Sequence, residues 1–241
     1  MAETAAILSP KKIVLLPEMH AGCSMADMAT VEEVKKKIQE MPQATVISYV
    51  NSFAAVKALS DYCCTSANAV EVARVVSPDQ EILFIPDKNL GQFAATRSRR
   101  KITHWRGYCA AHNNLSKKTV LKMKQEHSQA LLLVHPECPP EVCALADYIG
   151  STKGILDFVK GSKASEFIIA TEIGILYPLQ KAHPDKYFYP ASEEMVCPDM
   201  KLITLEKVLA SLKSLTPQVR VPEAIRKKAL IALERMLEIS K

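Results

Sequence analysis

The sequence predicts an α/β protein made of homologous parallel α/β units. Each unit is a three-layer domain with helices on both faces of its sheet, and the units form a pseudo-threefold arrangement whose first domain is partial. Three observations carry this reading. Cysteines recur at nearly equal intervals, at Cys23, Cys109 and Cys197. Landmarks recur with them: Tyr49 follows Cys23 at the same distance as His135 follows Cys109, and Ser66 stands to Tyr49 as Thr152 stands to His135. The text itself repeats, because Tyr49-Val-Asn-Ser-Phe-Ala-Ala-Val-Lys-Ala-Leu-Ser-Asp-Tyr62 lies over His135-Pro-Glu-Cys-Pro-Pro-Glu-Val-Cys-Ala-Leu-Ala-Asp-Tyr148. Self-similarity at a fixed period marks a duplicated structural unit.

The elements follow in order. The head is a third, incomplete copy, in which Pro10 precedes Cys23 at the same distance as Pro184 precedes Cys197. In the complete units the functional strand ends at Tyr49 for the unit closed by Cys109, and at His135 for the unit closed by Cys197. Far less chain than either interval lies between Met1 and Cys23. The first unit is therefore expected to be missing its first strand, the polar residues there and a helix. In the next unit Ala44–Tyr49 reads as a strand and Ala54–Leu59 opens a helix. Ser66 starts another helix running through Val76, and Glu81–Pro86 is the following strand. The third unit repeats this with a strand over Ala130–Val134, helices over Pro140–Ile149 and Ser151–Val159, and a strand over Glu166–Ala170. Short apolar, β-branched runs alternating with amphipathic helices imply parallel sheets covered on both faces. Residues 1–24, 25–110 and 111–197 are then three domains. Residues 198–241 are a helical tail packing on the first, with Pro222 suited to the first turn of its long helix.

Composition limits the function classes. Of 241 residues, 48% are hydrophobic and 24% charged, which suits a globular chain and is too apolar for disorder. No apolar run approaches the roughly 18 residues of a membrane span, and Met1–Ala5 has neither the basic nor the apolar region of a signal peptide. A reducing, cytoplasmic setting follows, in which the seven cysteines are unpaired, metal-binding or catalytic. The net charge of +5 is partly local, in Lys35–Lys37 and Arg97–Lys101. Those clusters read as solvated patches or as steering for small anionic substrates. With 6% aromatics and no recognised motif, nucleic acid is not expected as a partner.

Functional residues of open parallel sheets lie at the carboxyl ends of strands, where Tyr49, Asn51, His135 and Glu137 fall. Three cysteines at equivalent places in three repeats would converge near the pseudo-threefold axis, and three thiolates suit a soft metal while leaving a coordination position open. Zinc is the alternative metal, although structural zinc sites favour Cys-x-x-Cys pairs. Three buried structural cysteines satisfy the spacing equally well. Ser66 and Thr152 stand at helix starts, where they cap or hold an anion. Cys63, Cys64, Cys138 and Cys143 read as packing residues, and His104 and His112, flanking Cys109, as local structure or as hydrogen-bond partners of a cluster.

Ala21-Gly-Cys-Ser-Met-Ala-Asp-Met28, Tyr49-Val-Asn-Ser52, Cys64-Thr-Ser-Ala-Asn68, Ile85-Pro-Asp-Lys-Asn-Leu-Gly91, Trp105-Arg-Gly-Tyr-Cys109, His135-Pro-Glu-Cys138, Gly150-Ser-Thr152 and Ala170-Thr-Glu-Ile-Gly174 together resemble the quinolinate synthase family, in order, from Met1 to about Val208. The resemblance implies three α/β domains around a central site. It also implies condensation of iminoaspartate with dihydroxyacetone phosphate to quinolinate, phosphate and water in NAD biosynthesis. A [4Fe–4S] cluster on Cys23, Cys109 and Cys197 is implied as Lewis acid. Tyr49, Asn51, Ser66, His135, Glu137 and Thr152 match substrate-contacting positions, with Glu137, His135 and Tyr49 as the catalytic set. Functional coupling to an L-aspartate oxidase or dehydrogenase follows from the substrate. The family's first domain adds another histidine and serine on a segment that would precede Met1. The competing reading is a non-catalytic protein of the same fold that binds a cluster or a small dicarboxylate.

Overall fold

The computed structural model describes residues 1–240; Lys241, the last residue of the expected tail, lies outside them. The chain divides into two units, one comprising Met1–Gly107 with the chain from Pro198 onward, the other Tyr108–Cys197. The first holds β1 (Thr45–Tyr49), β2 (Tyr62–Cys64), β3 (Ile82–Ile85) and β4 (Ile102–His104), in the order β2-β1-β3-β4. The second holds β5 (Leu131–Val134), β6 (Tyr148–Ile149), β7 (Glu166–Ala170) and β8 (Tyr187–Pro190), in the order β6-β5-β7-β8. Every pairing is parallel.

The repeat survives in the register. Ile47 pairs with Tyr62, and one repeat later Leu133 pairs with Tyr148. One shared residue explains it. Asp61 donates its backbone N–H to the Val46 carbonyl at 2.9 Å, and its carboxylate accepts the Val46 N–H at 2.8 Å. Asp147 makes the same pair of bonds with Leu132, at 2.9 and 2.7 Å. A short carboxylate that satisfies the leading backbone groups of a central strand fixes where the next strand joins, which is why Ala-Leu-x-Asp-Tyr recurs.

Each sheet is buried on both faces. In the β5–β8 sheet, Leu132, Val134, Ile168 and Ala170 face a core with Val120 and Val142. Leu133, Phe167 and Ile169 face another with Ile155, Val159 and Leu179. Val46, Leu83 and Ile85 of the β1–β4 sheet pack on Val34 and Val56. Strands buried on both sides are apolar throughout rather than alternating, and their carboxyl ends are left as the place for polar groups.

Several expected elements change. The helix expected over Pro140–Ile149 stops at Cys143, and Tyr148–Ile149 becomes β6, because Asp147 turns the chain into the sheet. The helix expected from Ser66 runs over Ala69–Val75. Asn68 Oδ1 accepts from the Thr65 N–H at 2.7 Å and its hydroxyl at 3.0 Å, holding Ser66 in the turn ahead of that helix. Three helices absent from the sequence reading are each capped by a side chain: Val31–Glu40 by Thr30, Lys88–Ser98 by Asp87, and Lys117–Glu126 by Ser116. Part of one basic cluster is structural, as Arg100 donates to the carbonyls of Val76, Ser77 and Gln80. The tail helix, Glu223–Ile239, buries Ala229, Ala232, Leu233 and Met236 and packs on β2 and on the helices Ala54–Lys57 and Ala2–Leu8. Pro222 stands just ahead of its first turn. No helix among the described residues is long and apolar enough to cross a membrane.

Candidate functional site

The predicted polar residues collect at two carboxyl edges. In the β1–β4 unit Tyr49 is the last residue of β1, buried and paired with Cys64, the last of β2. Asn51 lies in the turn after β1, and Ser66 just past β2, both half-buried. That turn is closed from behind by Lys57, whose ammonium donates to the Ser52 carbonyl. Lys57 is fully buried, and desolvation pulls its pKa down, opposed in part by Cys63 and Glu3.

In the β5–β8 unit the edge is denser and titratable. His135 directly follows β5, and Glu137 comes shortly after; they are 4% and 3% exposed. The Glu137 N–H donates to His135 Nδ1 at 3.4 Å, so the His135 proton sits on Nε2. Burial pushes the His135 pKa down to about 4, the Glu137 charge opposing it and His112 adding to it. The ring is therefore neutral near pH 7 and offers one N–H. His112, from the short helix Ala110–Asn113, stacks on His135 with ring centroids 4.5 Å apart. Its Nδ1 is 3.1 Å from Cys109 Sγ and 3.2 Å from Glu137 Oε2, and its Nε2 is 2.9 Å from Thr171 Oγ1, just beyond β7. Cys109, His112 and Glu137 bring their ligand atoms within 4.8 Å of one another, close enough to hold a metal ion.

Thr152 is the first residue of the helix Thr152–Gly161 and is exposed. The cap is its neighbour Ser151, whose hydroxyl accepts the Gly154 N–H at 3.1 Å. Capping therefore does not account for Thr152, and neither does it for Ser66, since Asn68 holds the N-cap place of the following helix.

All seven cysteines are thiols. Cys63, Cys64 and Cys138 are buried, as packing residues are, whereas Cys143 and the three repeat cysteines, Cys23, Cys109 and Cys197, are half-buried. Each of the three repeat cysteines directly precedes a short helix, Ser24–Asp27, Ala110–Asn113 or Pro198–Lys201. The backbone N–H of Cys197 donates to Glu172 Oε1 at 3.5 Å, and Cys109 reaches Thr171 through His112, so both are tied to the residues that follow β7. Each of the three is a half-buried thiol ahead of a short helix, and sulfur is the donor that a soft metal prefers. Cys138 is unsuited: burial first, then Cys143, Glu137 and Cys109, raises its pKa well above the ordinary thiol value. Its Sγ instead lies 3.5 Å from the Ala170 carbonyl.

Sequence reasoning read His112 as local structure or as a hydrogen-bond partner of a cluster, and it gave Thr171 no part in the site. The Cys-x-x-His spacing of Cys109 and His112 was a visible signal, whereas Thr171 is brought in only by the fold.

The family described as "Quinolinate synthetase A protein" matches residues 1–238. The quinolinate synthase of Desulforudis audaxviator is 52% identical over 239 residues, covering 99% of this chain and 79% of that protein. That of Geotalea uraniireducens is 52% identical over 239 residues, with 99% and 78% covered. Quinolinate synthase 1 of Methanosarcina acetivorans is 51% identical over 239 residues, with the same coverage.

Proposed function

Because this chain belongs to the quinolinate synthase family, we propose that it condenses iminoaspartate with dihydroxyacetone phosphate to quinolinate, phosphate and water, as a cytoplasmic step of NAD biosynthesis. The observation that carries the proposal is the buried pair at the end of β5, where the Glu137 carboxylate lies within reach of a candidate iron ligand and is neighboured by the neutral imidazole of His135. A [4Fe–4S] cluster on Cys23, Cys109 and Cys197 would supply a Lewis-acidic iron with an open position for a substrate oxygen.

The remaining steps fall to side chains of this chain. Glu137 takes and returns protons during tautomerisation, cyclisation and loss of water, in a dry setting that strengthens its action. His135, neutral and donating from Nε2, holds a developing oxyanion without giving up a full proton. Tyr49 and Asn51 at the end of β1 orient the condensing carbons through hydroxyl and amide hydrogen bonds. Ser66 and Thr152, both free of capping duty, bind carboxylate or phosphate oxygens. We assign the domain boundaries to residues 1–24, 25–110, 111–197 and 198–241. Since iminoaspartate is a reactive imine, an L-aspartate oxidase or dehydrogenase is the supplying activity.

The test is anaerobic reconstitution with iron and sulfide. The chain should turn brown, bind about four irons and form quinolinate from the two substrates, while Cys109→Ser loses most of the iron and Cys64→Ser does not. Zinc in place of iron, or unchanged iron in Cys109→Ser, would refute the ligand assignment. A fully loaded chain that makes no quinolinate would refute the activity.

A further inference from the structure

We propose that Asn68 is a positioning residue that sets the Ser66 hydroxyl for substrate, and that the end of the tail helix, through Ser240, sets Asn68. The inference rests on the reading of Ser66 as a substrate-binding hydroxyl. The turn after β2 is closed on itself by polar bonds. Asn68 Oδ1 accepts from the Thr65 N–H at 2.7 Å and from the Thr65 hydroxyl at 3.0 Å. The Thr65 hydroxyl in turn accepts the Ala67 N–H at 3.2 Å, and the Asn68 N–H donates to the Thr65 carbonyl at 3.3 Å. Among the described residues of this turn, Ser66 carries the one hydroxyl not spent on closing it.

The direction of each bond is fixed. A backbone N–H can only donate, so the amide oxygen of Asn68 faces Thr65 and its nitrogen faces the other way. That nitrogen donates to Ser240 Oγ at 2.7 Å, and the Ser240 hydroxyl donates to the Met236 carbonyl at 2.9 Å. An asparagine at an N-cap place ordinarily accepts from the helix it precedes, and Asn68 makes no such bond. Turning away forfeits a helix cap, and what is gained is a rigid frame around Ser66. Asn68 is 8% exposed, so little water competes for its amide. The tail helix reaches this place because it lies along β2. Arg235 donates to the Asp61 carbonyl at 2.9 Å and holds its guanidinium 5.4 Å from the centre of the Tyr62 ring, at the start of the strand. Ser240, further along the same helix, meets the turn that follows the strand's other end.

A double-mutant cycle separates this role from simple packing. The hydroxyl introduced by Asn68→Ser is one bond shorter; it suits capping of the helix Ala69–Val75 and no longer spans from Thr65 to Ser240. Binding of quinolinate and of dihydroxyacetone phosphate to the anaerobically loaded chain is measured by calorimetry. For whichever of the two Ser66→Ala weakens, Asn68→Ser should raise Kd ~5–10-fold, the equivalent of about one hydrogen bond. The double variant should bind within ~2-fold of Ser66→Ala alone, because removing the hydroxyl leaves nothing to aim. In turnover, KM should follow Kd while kcat stays within ~3-fold. Multiplied effects in the double variant, an unaltered Kd in Asn68→Ser, or a fall in kcat with KM unmoved each overturn the proposal. Ser240→Ala removes the partner of the amide nitrogen at an exposed residue and should raise Kd ~3-fold, while Ser240→Thr keeps the hydroxyl and should bind like the parent. Equal Kd values in these two overturn the part given to the tail, and the same pair decides the proposal if Asn68→Ser does not fold. Parent-like binding of both anions by Ser66→Ala is a separate outcome: it removes Ser66 as a ligand, and the proposal with it.

Discussion

The β1–β4 and β5–β8 sheets share strand order, parallel sense and an aspartate that locks the central strand, yet they present different chemistry at the same edge. Where one has Tyr49 and Asn51, the other has His135 and Glu137. The loop behind them is closed in both by a side chain at the matching place of the repeat. Lys57 donates to the Ser52 carbonyl in one, and Cys143 Sγ to the Cys138 carbonyl at 3.5 Å in the other. The edge with uncharged hydrogen-bonding groups is thus backed by a buried cation, and the edge with a buried carboxylate by an uncharged thiol. The duplicated framework holds position in both copies, while the buried histidine–carboxylate pair is found in one.

The largest effect should come from exchanging proton-carrying for proton-holding groups at the two edges. Glu137→Gln keeps shape but removes the acceptor, and quinolinate formation should fall by ~10²–10⁴ while a dicarboxylate analogue still binds within several-fold. Tyr49→Phe removes a single hydroxyl from the uncharged edge and should cost ~10-fold. Comparable losses from the two variants, measured as kcat, would show that the edges do not divide the chemistry this way.

Next in size is a pH effect confined to one sheet. His135 titrates at about 4 in the folded chain, against an ordinary value near 6.5. The folded state therefore resists protonating it, while the unfolded chain does not. Stability is whole above about pH 6.5 and declines as pH falls toward 4, by about 3 kcal/mol for a difference of this size. Urea unfolding at pH 7 and pH 4 should show His135→Asn losing about 3 kcal/mol less than the parent over that interval. Tyr49, the counterpart, has no such ring, and Tyr49→Phe should leave the profile unaltered.

The same comparison explains what could be read from the sequence. The central strands β1, β3, β5 and β7 are apolar runs, and the repeat carried them across both units. The edge strands were hidden. Tyr148-Ile149 is a very short segment and becomes a strand through Asp147 bonding to Leu132, a contact that no local pattern displays. The polar residues at strand ends were legible because the repeat aligned them. Their mutual geometry was not, since His112 meets Glu137 and Thr171, both remote in the chain, only when β5 and β7 pair. Lys57 was missed for the opposite reason: a lysine on a short helix reads as solvated, and only burial makes it unusual.

Lys57 offers a smaller test of the framework. Lys57→Met fills similar space but leaves the buried Ser52 carbonyl without its donor, at ~1–3 kcal/mol, partly offset by no longer burying an ammonium. Cys143→Ala removes a weak thiol donor from a half-buried place and should cost under ~1 kcal/mol. Chemical denaturation of both variants checks the order. A larger loss at Cys143 would mean that the two closures are not equivalent.

The smallest effect separates holding a helix from holding a ligand. Ser151 accepts the Gly154 N–H and Thr152 does not cap, although they are neighbours at one helix start. Ser151→Ala should cost ~1 kcal/mol of stability, the usual worth of a helix cap, and alter KM little. Thr152→Ala is a change at an exposed residue and should move stability by less than ~0.5 kcal/mol. If its hydroxyl binds a substrate oxygen, KM should rise ~5–10-fold, the equivalent of about one hydrogen bond. In the other sheet Asn68 takes the cap place but turns its side chain to Thr65 and to Ser240 Oγ at 2.7 Å. Ser66→Ala should accordingly behave like Thr152→Ala, raising KM at unchanged stability. A stability loss in Thr152→Ala or Ser66→Ala with KM unmoved would return those hydroxyls to structure and leave the substrate's anionic groups to other donors.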